Sequence, residues 1–367
     1  MKYGKETRLT GIVTIFLLTL AFGCLPARAQ SVAYVTNAAS NTVSVINTAT
    51  NTVVATVTVG MGPTGVAITP DGAFAYVANY NSNTVSVIQT SNNAEVDTVN
   101  VGNKPAGVAI TPDGAFAYVA SQGSNAVSVI QTSNNTVVDT VNVGTFPYVV
   151  AITPNGAFAY VTNEVDNTVS VIQTSNNTVV DTVNVGNGPI WVAITPDGAF
   201  AYVANELSNT VSVIQTSNNT VVHTVNVGSG PIGVAITPDG AFAYVANQFS
   251  PVSVIQASNY TVVHTINGVG PGPFGVAITP QECREDDGEG DEPDAKGGDA
   301  HFTKHHRQCG CREDDRDGDV PGEKRGDAHF PKHHRQCGSA EKDSEHFSDP
   351  SSRTDFHSTQ VNFGHLR

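Results

Sequence analysis

The chain has 367 residues and a net charge of −15, with 33 acidic residues against 18 basic ones. Its repeated central part, residues 30–280, contains eleven acidic residues and a single cation, Lys104. Such a surface repels phosphate backbones, which argues against nucleic acid as a ligand of this part. Because residues 30–280 contain no cysteine, packing and strand ladders must stabilise this part of the chain.

The first 29 residues have the pattern of a secretory signal. Basic residues precede an apolar run at 11–23, and a small-x-small cleavage site at 27–29 stands before Gln30. The apolar run is too short for a membrane span. A lipid anchor at Cys24 is the alternative, which the bulky Phe22 disfavours. We therefore expect an exported protein that is periplasmic, bound to the cell surface or extracellular.

A tetrapeptide, Tyr-Val-(Thr/Ala)-Asn, returns every 42 residues. It begins at Tyr34, Tyr76, Tyr118, Tyr160, Tyr202 and Tyr244, with Ser121 in place of Asn in the third copy. A second phrase, Val-Ala-Ile-Thr-Pro, keeps the same period from Val66 to Val276. A fixed period of this size is typical of repeat proteins, in which each unit must stack on its neighbours to bury its faces.

Each repeat predicts four short strands, which we name A to D in chain order. In the second copy they cover residues 65–69, 73–79, 84–88 and 95–101, and polar turns such as Pro70-Asp71-Gly72 separate them. Helical periodicity appears nowhere between residues 30 and 280. Four antiparallel strands in 42 residues predict one blade of a β-propeller.

The two ends of the repeated part complement each other. The chain opens on a B strand at Val32–Asn37 and ends its regular part on an A strand at Val276–Thr279. That last strand can complete the blade that the first B, C and D strands begin, and such a ring has no free sheet edge. The sequence thus predicts an all-β fold, a β-propeller of six four-stranded blades closed by both termini over residues 30–280.

The repeats resemble the YVTN family of β-propeller repeats, found in bacterial and archaeal surface-layer and other exported proteins. The resemblance covers residues 32–280 and rests on Tyr-Val-x-Asn, Thr-Val-Ser-Val-Ile and Gly-Pro-x-Gly-Val-Ala-Ile-Thr-Pro-Asp-Gly, in that order. It implies an exported propeller, although members commonly have seven blades and this chain provides six. Lactonase-like and quinoprotein-like propellers, which include enzymes, look similar, but the repeat carries over no catalytic residue from them.

Two of the four loops in each repeat vary between copies. Because strands alternate in direction, the variable D–A and B–C loops share one face of the predicted disc, and the nearly constant A–B and C–D turns share the other. Either these loops vary for lack of constraint, or one face is adapted to a partner. The second interpretation gives a candidate binding face of Lys104, Phe146, Tyr148, Trp191, Phe249 and Phe274.

Catalysis needs a local set of unlike groups, whereas near-identical blades offer the same groups repeatedly. The two histidines of the propeller, His223 and His264, fall at equivalent positions of the outer strand, where solvated surface residues are expected. The Asp of each Pro-Asp-Gly turn is expected to serve its turn. We therefore predict no catalytic residue and a protein that is not an enzyme.

Residues 281–367 differ in kind from the propeller. They hold four of the five cysteines and nine of the eleven histidines, and their low apolar content is typical of a disordered tail. A tandem duplication with an offset of 28 residues gives each copy three histidines and one cysteine, ligands suited to Zn or Cu. Disulfides, or a tail with no fixed structure, are the alternatives. The candidate metal ligands are His301, His305, His306, Cys309, His329, His333, His334 and Cys337.

Together these features predict an exported, monomeric β-propeller that acts as a non-catalytic structural or interaction module of the cell envelope or extracellular space. Its expected partner is a protein or glycan of the envelope, with no nucleic acid and no transmembrane span. A propeller enzyme of lactonase-like or quinoprotein-like type and a metal-binding protein acting through the tail are the alternatives.

Overall fold

The computed structural model describes residues 31–270, 272–273 and 275–278. The described chain is all-β and forms six antiparallel sheets in chain order, which confirms the predicted fold class. Within this part of the chain, no helix has the length and apolarity needed to cross a membrane. The predicted signal, residues 1–29, and the predicted tail, residues 281–367, lie outside the described residues.

The sheets follow the repeat copy by copy. The first contains β1 (Val32–Asn37), β2 (Thr42–Asn47) and β3 (Thr52–Thr58). The second contains β4 (Pro63–Ile68), β5 (Phe74–Asn79), β6 (Thr84–Gln89) and β7 (Ala94–Asn100). The third contains β8 (Pro105–Ile110), β9 (Phe116–Ser121), β10 (Ala126–Gln131) and β11 (Thr136–Asn142).

The remaining three sheets repeat the same pattern. The fourth contains β12 (Pro147–Ile152), β13 (Phe158–Asn163), β14 (Thr168–Gln173) and β15 (Thr178–Asn184). The fifth contains β16 (Pro189–Ile194), β17 (Phe200–Asn205), β18 (Thr210–Gln215) and β19 (Thr220–Asn226). The sixth contains β20 (Pro231–Ile236), β21 (Phe242–Asn247), β22 (Val252–Gln256) and β23 (Thr261–Ile266).

The A strands lie at the centre of the propeller and the D strands at its outer edge. Consecutive A strands pack on one another, from β4 through β8, β12 and β16 to β20. The A strand β8 is buried along its whole length, whereas the D strand β11 buries one residue of seven. Each C–D pairing carries a register shift, and such bulges protect exposed sheet edges from pairing with other chains.

The core lies between consecutive sheets and follows from the period of two residues in a strand. On β9, Tyr118 packs toward the fourth sheet, in a cluster with Val150 and Ala159. Its neighbour Val119 points the other way and packs against Tyr76 of the second sheet. Each sheet therefore buries both of its faces, one against the sheet before it and one against the sheet after it.

At four of these interfaces, a tyrosine hydroxyl makes a hydrogen bond to the neighbouring sheet. The hydroxyl on the B strand of one sheet donates to an asparagine Oδ1 in the C–D turn of the next: Tyr34 to Asn93 (3.0 Å), Tyr76 to Asn135 (2.6 Å), Tyr118 to Asn177 (2.6 Å) and Tyr160 to Asn219 (2.7 Å). The acceptor asparagines have φ of 54° or 55°, a left-handed conformation that asparagine tolerates better than most residues. This bond fixes the register of one sheet on the next.

The A–B turns are closed by their own side chains. In the second sheet, Asp71 Oδ1 accepts hydrogen bonds from the Thr69 hydroxyl (2.6 Å) and the Ala73 amide (2.9 Å). Gly72 has φ of 70°, which favours glycine. The same bonds recur at Asp113, Asp197 and Asp239, and they hold the pKa of Asp239 below its ordinary value. The prediction that these aspartates serve their turns is confirmed.

The structure does not show the predicted closure of the ring. Residues 275–278 form no strand, Thr279 lies outside the described residues, and the first sheet has three strands. On the sixth sheet, Ile266 is 41% exposed, whereas five valines at the same position of the D strand are 6% exposed: Val57, Val99, Val141, Val183 and Val225. The face of the sixth sheet that would meet the first is therefore uncovered, and closure by both termini stays a prediction.

Candidate functional site

Backbone hydrogen bonds fix the variable loops into a rim on one face, which we call the variable face. In the third sheet, Gln122 N donates to Lys104 O and Gly123 N donates to Asn103 O, both at 3.0 Å. Asn83, from the B–C loop of the preceding sheet, accepts from Lys104 N at 2.9 Å. Each D–A loop is thus held by hydrogen bonds to the B–C loops of the sheet before it and the sheet after it. The side chains of these loops nevertheless differ from copy to copy.

The predicted binding residues do not all lie on this surface. Lys104 is exposed, with its Nζ 5.8 Å from the ring centroid of Tyr80, and Phe249 is 68% exposed. Phe146 and Tyr148 are half-buried. The interpretation of Trp191 as a surface anchor is wrong for this structure: it sits inside β16, is 6% exposed and packs in the core between sheets. Phe274 lies outside the described residues.

An apolar arc crosses three consecutive sheets of the variable face. It consists of the second residue of three B–C loops, Val165, Leu207 and Phe249, which are 60%, 70% and 68% exposed. The equivalent residues of the other copies are Ala39, Asn81 and Gly123. Of these three residues, the sequence analysis selected Phe249 alone, because it took aromatic and basic residues of the variable loops as candidate anchors.

The first residues of the B–C loops occupy one repeat position: Ala38, Tyr80, Gln122, Glu164, Glu206 and Gln248. Burial raises the pKa of Tyr148 to about 12, with further contributions from Glu164, Glu206 and Tyr80, which belong to three different sheets. Tyr148 lies on the A strand β12, and the A strands are the innermost strands of the sheets. We call this region the channel mouth.

Two glutamates, Glu164 and Glu206, occupy the same B–C loop position in neighbouring sheets. Burial, and then the charge of Glu206, raise the pKa of Glu164 above its ordinary value. These glutamates come from equivalent positions of the fourth and fifth sheets, and sequence reasoning did not select them. The sequence did distinguish them, because two copies carry glutamate at a repeat position where the other copies carry alanine, tyrosine or glutamine.

A different set of buried polar atoms belongs to the fold itself. Asn79 Nδ2 donates to Thr84 Oγ1 (3.1 Å) and Ser86 Oγ (2.9 Å), and Asn163, Asn205 and Asn247 make similar bonds. The Oδ1 atoms of these four asparagines are buried without a partner among the described residues. Because they recur in every full copy except the third, they suit structural waters better than a specific ligand.

Two further features involve titratable side chains elsewhere on the propeller. A surface concavity of about 460 Å³ between the third and fourth sheets is lined by Asn142 and Asp166, and Asp166 Oδ2 accepts a hydrogen bond from Thr145 N at 2.6 Å. His223 and His264 are exposed, as predicted, and the ring of His223 stacks on Tyr260 with centroids 4.1 Å apart.

No group of three or more His, Cys, Asp or Glu side chains able to hold a metal ion occurs among the described residues. The predicted metal ligands, His301, His305, His306, Cys309, His329, His333, His334 and Cys337, lie outside them.

The comparisons with known proteins agree with the architecture. A family model described as a YNCE-like β-propeller matches residues 98–243. The hydrazine synthase of Kuenenia stuttgartiensis is similar, with a TM-score of 0.57 and 27% identity over 62% of this chain and 73% of that chain. A functionally unknown protein from Desulfotomaculum acetoxidans DSM 771 has a TM-score of 0.57 and 24% identity over 62% of this chain and 75% of that chain, which shows the fold alone. A comparison with curated protein sequences gave no match.

With its 42-residue repeat and its six antiparallel sheets, the chain has a β-propeller fold, and over residues 98–243 it is similar to the YNCE-like β-propellers. Chains of solved structures that match it number 1682, so the fold by itself does not specify a function.

Proposed function

We propose that this protein is an exported, non-catalytic binding module whose variable face binds a protein or glycan of the cell envelope. The observation that carries the proposal is the apolar arc of Val165, Leu207 and Phe249, exposed by 60–70% on three consecutive sheets. Exposed apolar side chains gathered on one face of a protein are typical of partner-binding surfaces.

The arc is presented by ordered loops. Val165 N donates to Thr145 O (3.4 Å), Leu207 N to Asn187 O (3.1 Å), and Phe249 N to Ser229 O (3.1 Å). Because these loops are already fixed, a partner need not pay the entropy of ordering them. A preformed apolar surface of this kind favours a binding role over a catalytic role in which loops close over a substrate.

The non-catalytic part of the proposal rests on how the repeated polar groups are used. The turn aspartates bond to their own turns, and the two histidines lie on the outer strands, far from the channel mouth. Export rests on the signal pattern of residues 1–29. Mass spectrometry of the protein secreted by its producing cells tests export, with an N-terminus at Gln30 as the expected result.

The binding proposal is tested with two matched triple variants. One changes Val165, Leu207 and Phe249 to Ser; the control changes Val96, Val138 and Val222 to Ser, which are exposed by 49%, 48% and 38% on the outer strands. Co-sedimentation with the envelope fraction of the producing organism measures binding. We expect the arc variant to bind at least about tenfold more weakly, because a central apolar anchor contributes about 2 kcal/mol.

The outer-strand variant should bind as the unmodified protein does. Equal binding by both variants, with equal unfolding temperatures, would refute the variable face as the binding surface. Treating the envelope with protease or with periodate then separates a protein partner from a glycan.

A further inference from the structure

Four C–D turns carry the pattern Asn-x-Thr, in which x is not proline. The pattern occurs in the third to sixth sheets, and neither it nor Asn-x-Ser occurs elsewhere in the 367 residues of the chain. Its first residues, which we call the acceptor asparagines, are all exposed: Asn134, Asn176, Asn218 and Asn259. An asparagine in this pattern is the attachment point of N-linked glycans, which lie on surface loops of secreted proteins.

Hydrogen bonds join the two defining side chains of each pattern. In the third sheet, Asn134 Oδ1 accepts from the Thr136 hydroxyl at 2.8 Å and from the Thr136 amide at 3.2 Å. The hydroxyl bond recurs at 2.8 Å in the other three turns. A hydroxyl that donates to the amide oxygen stabilises negative charge there, which makes a proton on Nδ2 easier to remove. Because Asn134 is exposed, a reagent can approach it from solvent.

The next residue of the turn has a different role. Asn135 is half-buried and accepts from the hydroxyl of Tyr76, on the preceding sheet, at 2.6 Å. Asn134 takes no part in that bond, so a bulky group on Asn134 leaves the contact between the sheets intact. In the sixth sheet a tyrosine replaces this second asparagine, whereas Asn259 and Thr261 are kept. The pattern therefore persists where the middle residue changes.

The same turn forms without the complete pattern. In the second sheet, Asn92 Oδ1 accepts from Ala94 N at 3.1 Å, although alanine has no hydroxyl. In the first sheet, threonine stands in place of the acceptor asparagine. The middle residues of these two turns, Asn93 and Asn51, have φ of 54°, as Asn135 has. The fold thus requires neither the acceptor asparagine nor the hydroxyl, and Asn92 provides a natural control.

We propose that the acceptor asparagines carry N-linked glycans, transferred from a lipid-linked glycosyl diphosphate. In this step Nδ2 forms a bond to C1 of the sugar, and the bond between C1 and the diphosphate oxygen breaks. The lipid diphosphate departs with that electron pair, and one proton leaves Nδ2 for solvent. The inference rests on the export included in the proposed function, because the transferring enzyme must meet the chain during or after its secretion.

The glycans cover one end of the sheets. Because adjacent strands are antiparallel, the C–D turns lie at the end opposite to the D–A and B–C loops. Glycans at these turns hinder contacts of that face and leave Val165, Leu207 and Phe249 free. The modification therefore directs a partner to the variable face.

The test is mass spectrometry of the mature chain purified from its producing cells. Chymotryptic digestion of the denatured protein separates the four sites, because tyrosine or phenylalanine residues lie between consecutive ones. We expect a carbohydrate mass increment on each of the four peptides and none on the peptide that contains Asn92. Thr136→Ala, which reproduces the turn of the second sheet, should remove the increment at Asn134 alone, whereas Thr136→Ser should keep it.

A converse variant tests whether the pattern is sufficient in this turn. Ala94→Thr completes the pattern at Asn92 and should add one glycan to the chain, whereas the matched control Ala94→Val should add none. An unchanged mass of the Asn92 peptide in Ala94→Thr would contradict the inference, because turn and pattern together would then not specify the modification.

The N-terminus of the same sample separates failure of this inference from failure of export. Four unmodified peptides on a chain that begins at Gln30 overturn the inference and leave export standing. Four unmodified peptides on a chain that keeps residues 1–29 overturn both. A glycan at Asn134 that persists in Thr136→Ala also contradicts the inference, because the hydroxyl would then have no part in it. Envelope binding by the apolar arc is measured separately.

Discussion

At the scale of single residues, one interface between sheets lacks the hydrogen bond that its neighbours make. Tyr160 donates to Asn219, but the hydroxyl of Tyr202 is buried without a partner among the described residues. The cause is a substitution: Tyr260 occupies the left-handed turn position, with φ of 56°, that asparagine holds in the other copies. Its ring packs against Phe200 and stacks on His223 instead.

The two equivalent tyrosines make a matched pair of variants. We expect Tyr160→Phe to lower the free energy of unfolding by about 1 kcal/mol more than Tyr202→Phe does. The first change leaves Asn219 without its donor, whereas the second removes a hydroxyl that is desolvated and makes no bond. Urea denaturation of the two variants measures the difference. Equal losses of stability would show that the bond to the next sheet contributes nothing.

At the scale of elements, closure of the ring depends on the side of β1 that faces away from β2. The strand pairs with β2, and no other described strand pairs with it. Gly272 has φ of 71°, close to the 64° of Gly188 and the 67° of Gly230, which precede the fifth and sixth A strands. The chain thus enters residues 275–278 with the backbone geometry that leads into an A strand elsewhere. By the register of Ala235 on Tyr244, Ala277 would lie opposite Tyr34.

Two truncated chains test whether residues 275–279 complete the first sheet. A chain ending at Pro280 should unfold at the same temperature as the mature protein, because its propeller remains whole. A chain ending at Ile266 should unfold at least about 5 °C lower and aggregate, because an inner sheet edge stays open. Scanning calorimetry measures both. If the two chains unfold at one temperature, the last repeat does not close the ring.

At the scale of the whole molecule, we expect metal ions to bind the segment that follows the propeller and not the propeller itself. We predict that the mature chain binds Zn²⁺ through residues 281–367 and that a chain ending at Pro280 does not. Binding should weaken as pH falls through about 6.5, because an imidazole must be neutral to ligate the metal. Calorimetry under reducing conditions measures the heat of binding. A tail with its histidines changed to asparagine is the control, and undiminished Zn²⁺ binding by that variant would exclude the histidines as ligands.

Much of the fold follows from local order in the sequence. The B strand predicted at residues 73–79 is observed at Phe74–Asn79, and the D strand predicted at 95–101 is observed at Ala94–Asn100. The A strand predicted at 65–69 begins earlier, at Pro63, because Pro63 pairs across the sheet with Asn79. Alternation within a strand and turn chemistry such as that of Asp71 act over a few residues, so the sequence displays them directly.

The sequence by itself determined the repeat, the strands, their order in each sheet and the role of the turn aspartates. Only the tertiary structure decided that Trp191 is buried, that Val165, Leu207 and Phe249 are exposed together on one face, and that burial, with the charges of glutamates from two sheets, raises the pKa of Tyr148. The physical reason is distance along the chain. Residues 42 positions apart look independent in a sequence, but packing the sheets around one axis brings equivalent loop positions together, where burial and like charge act on them jointly.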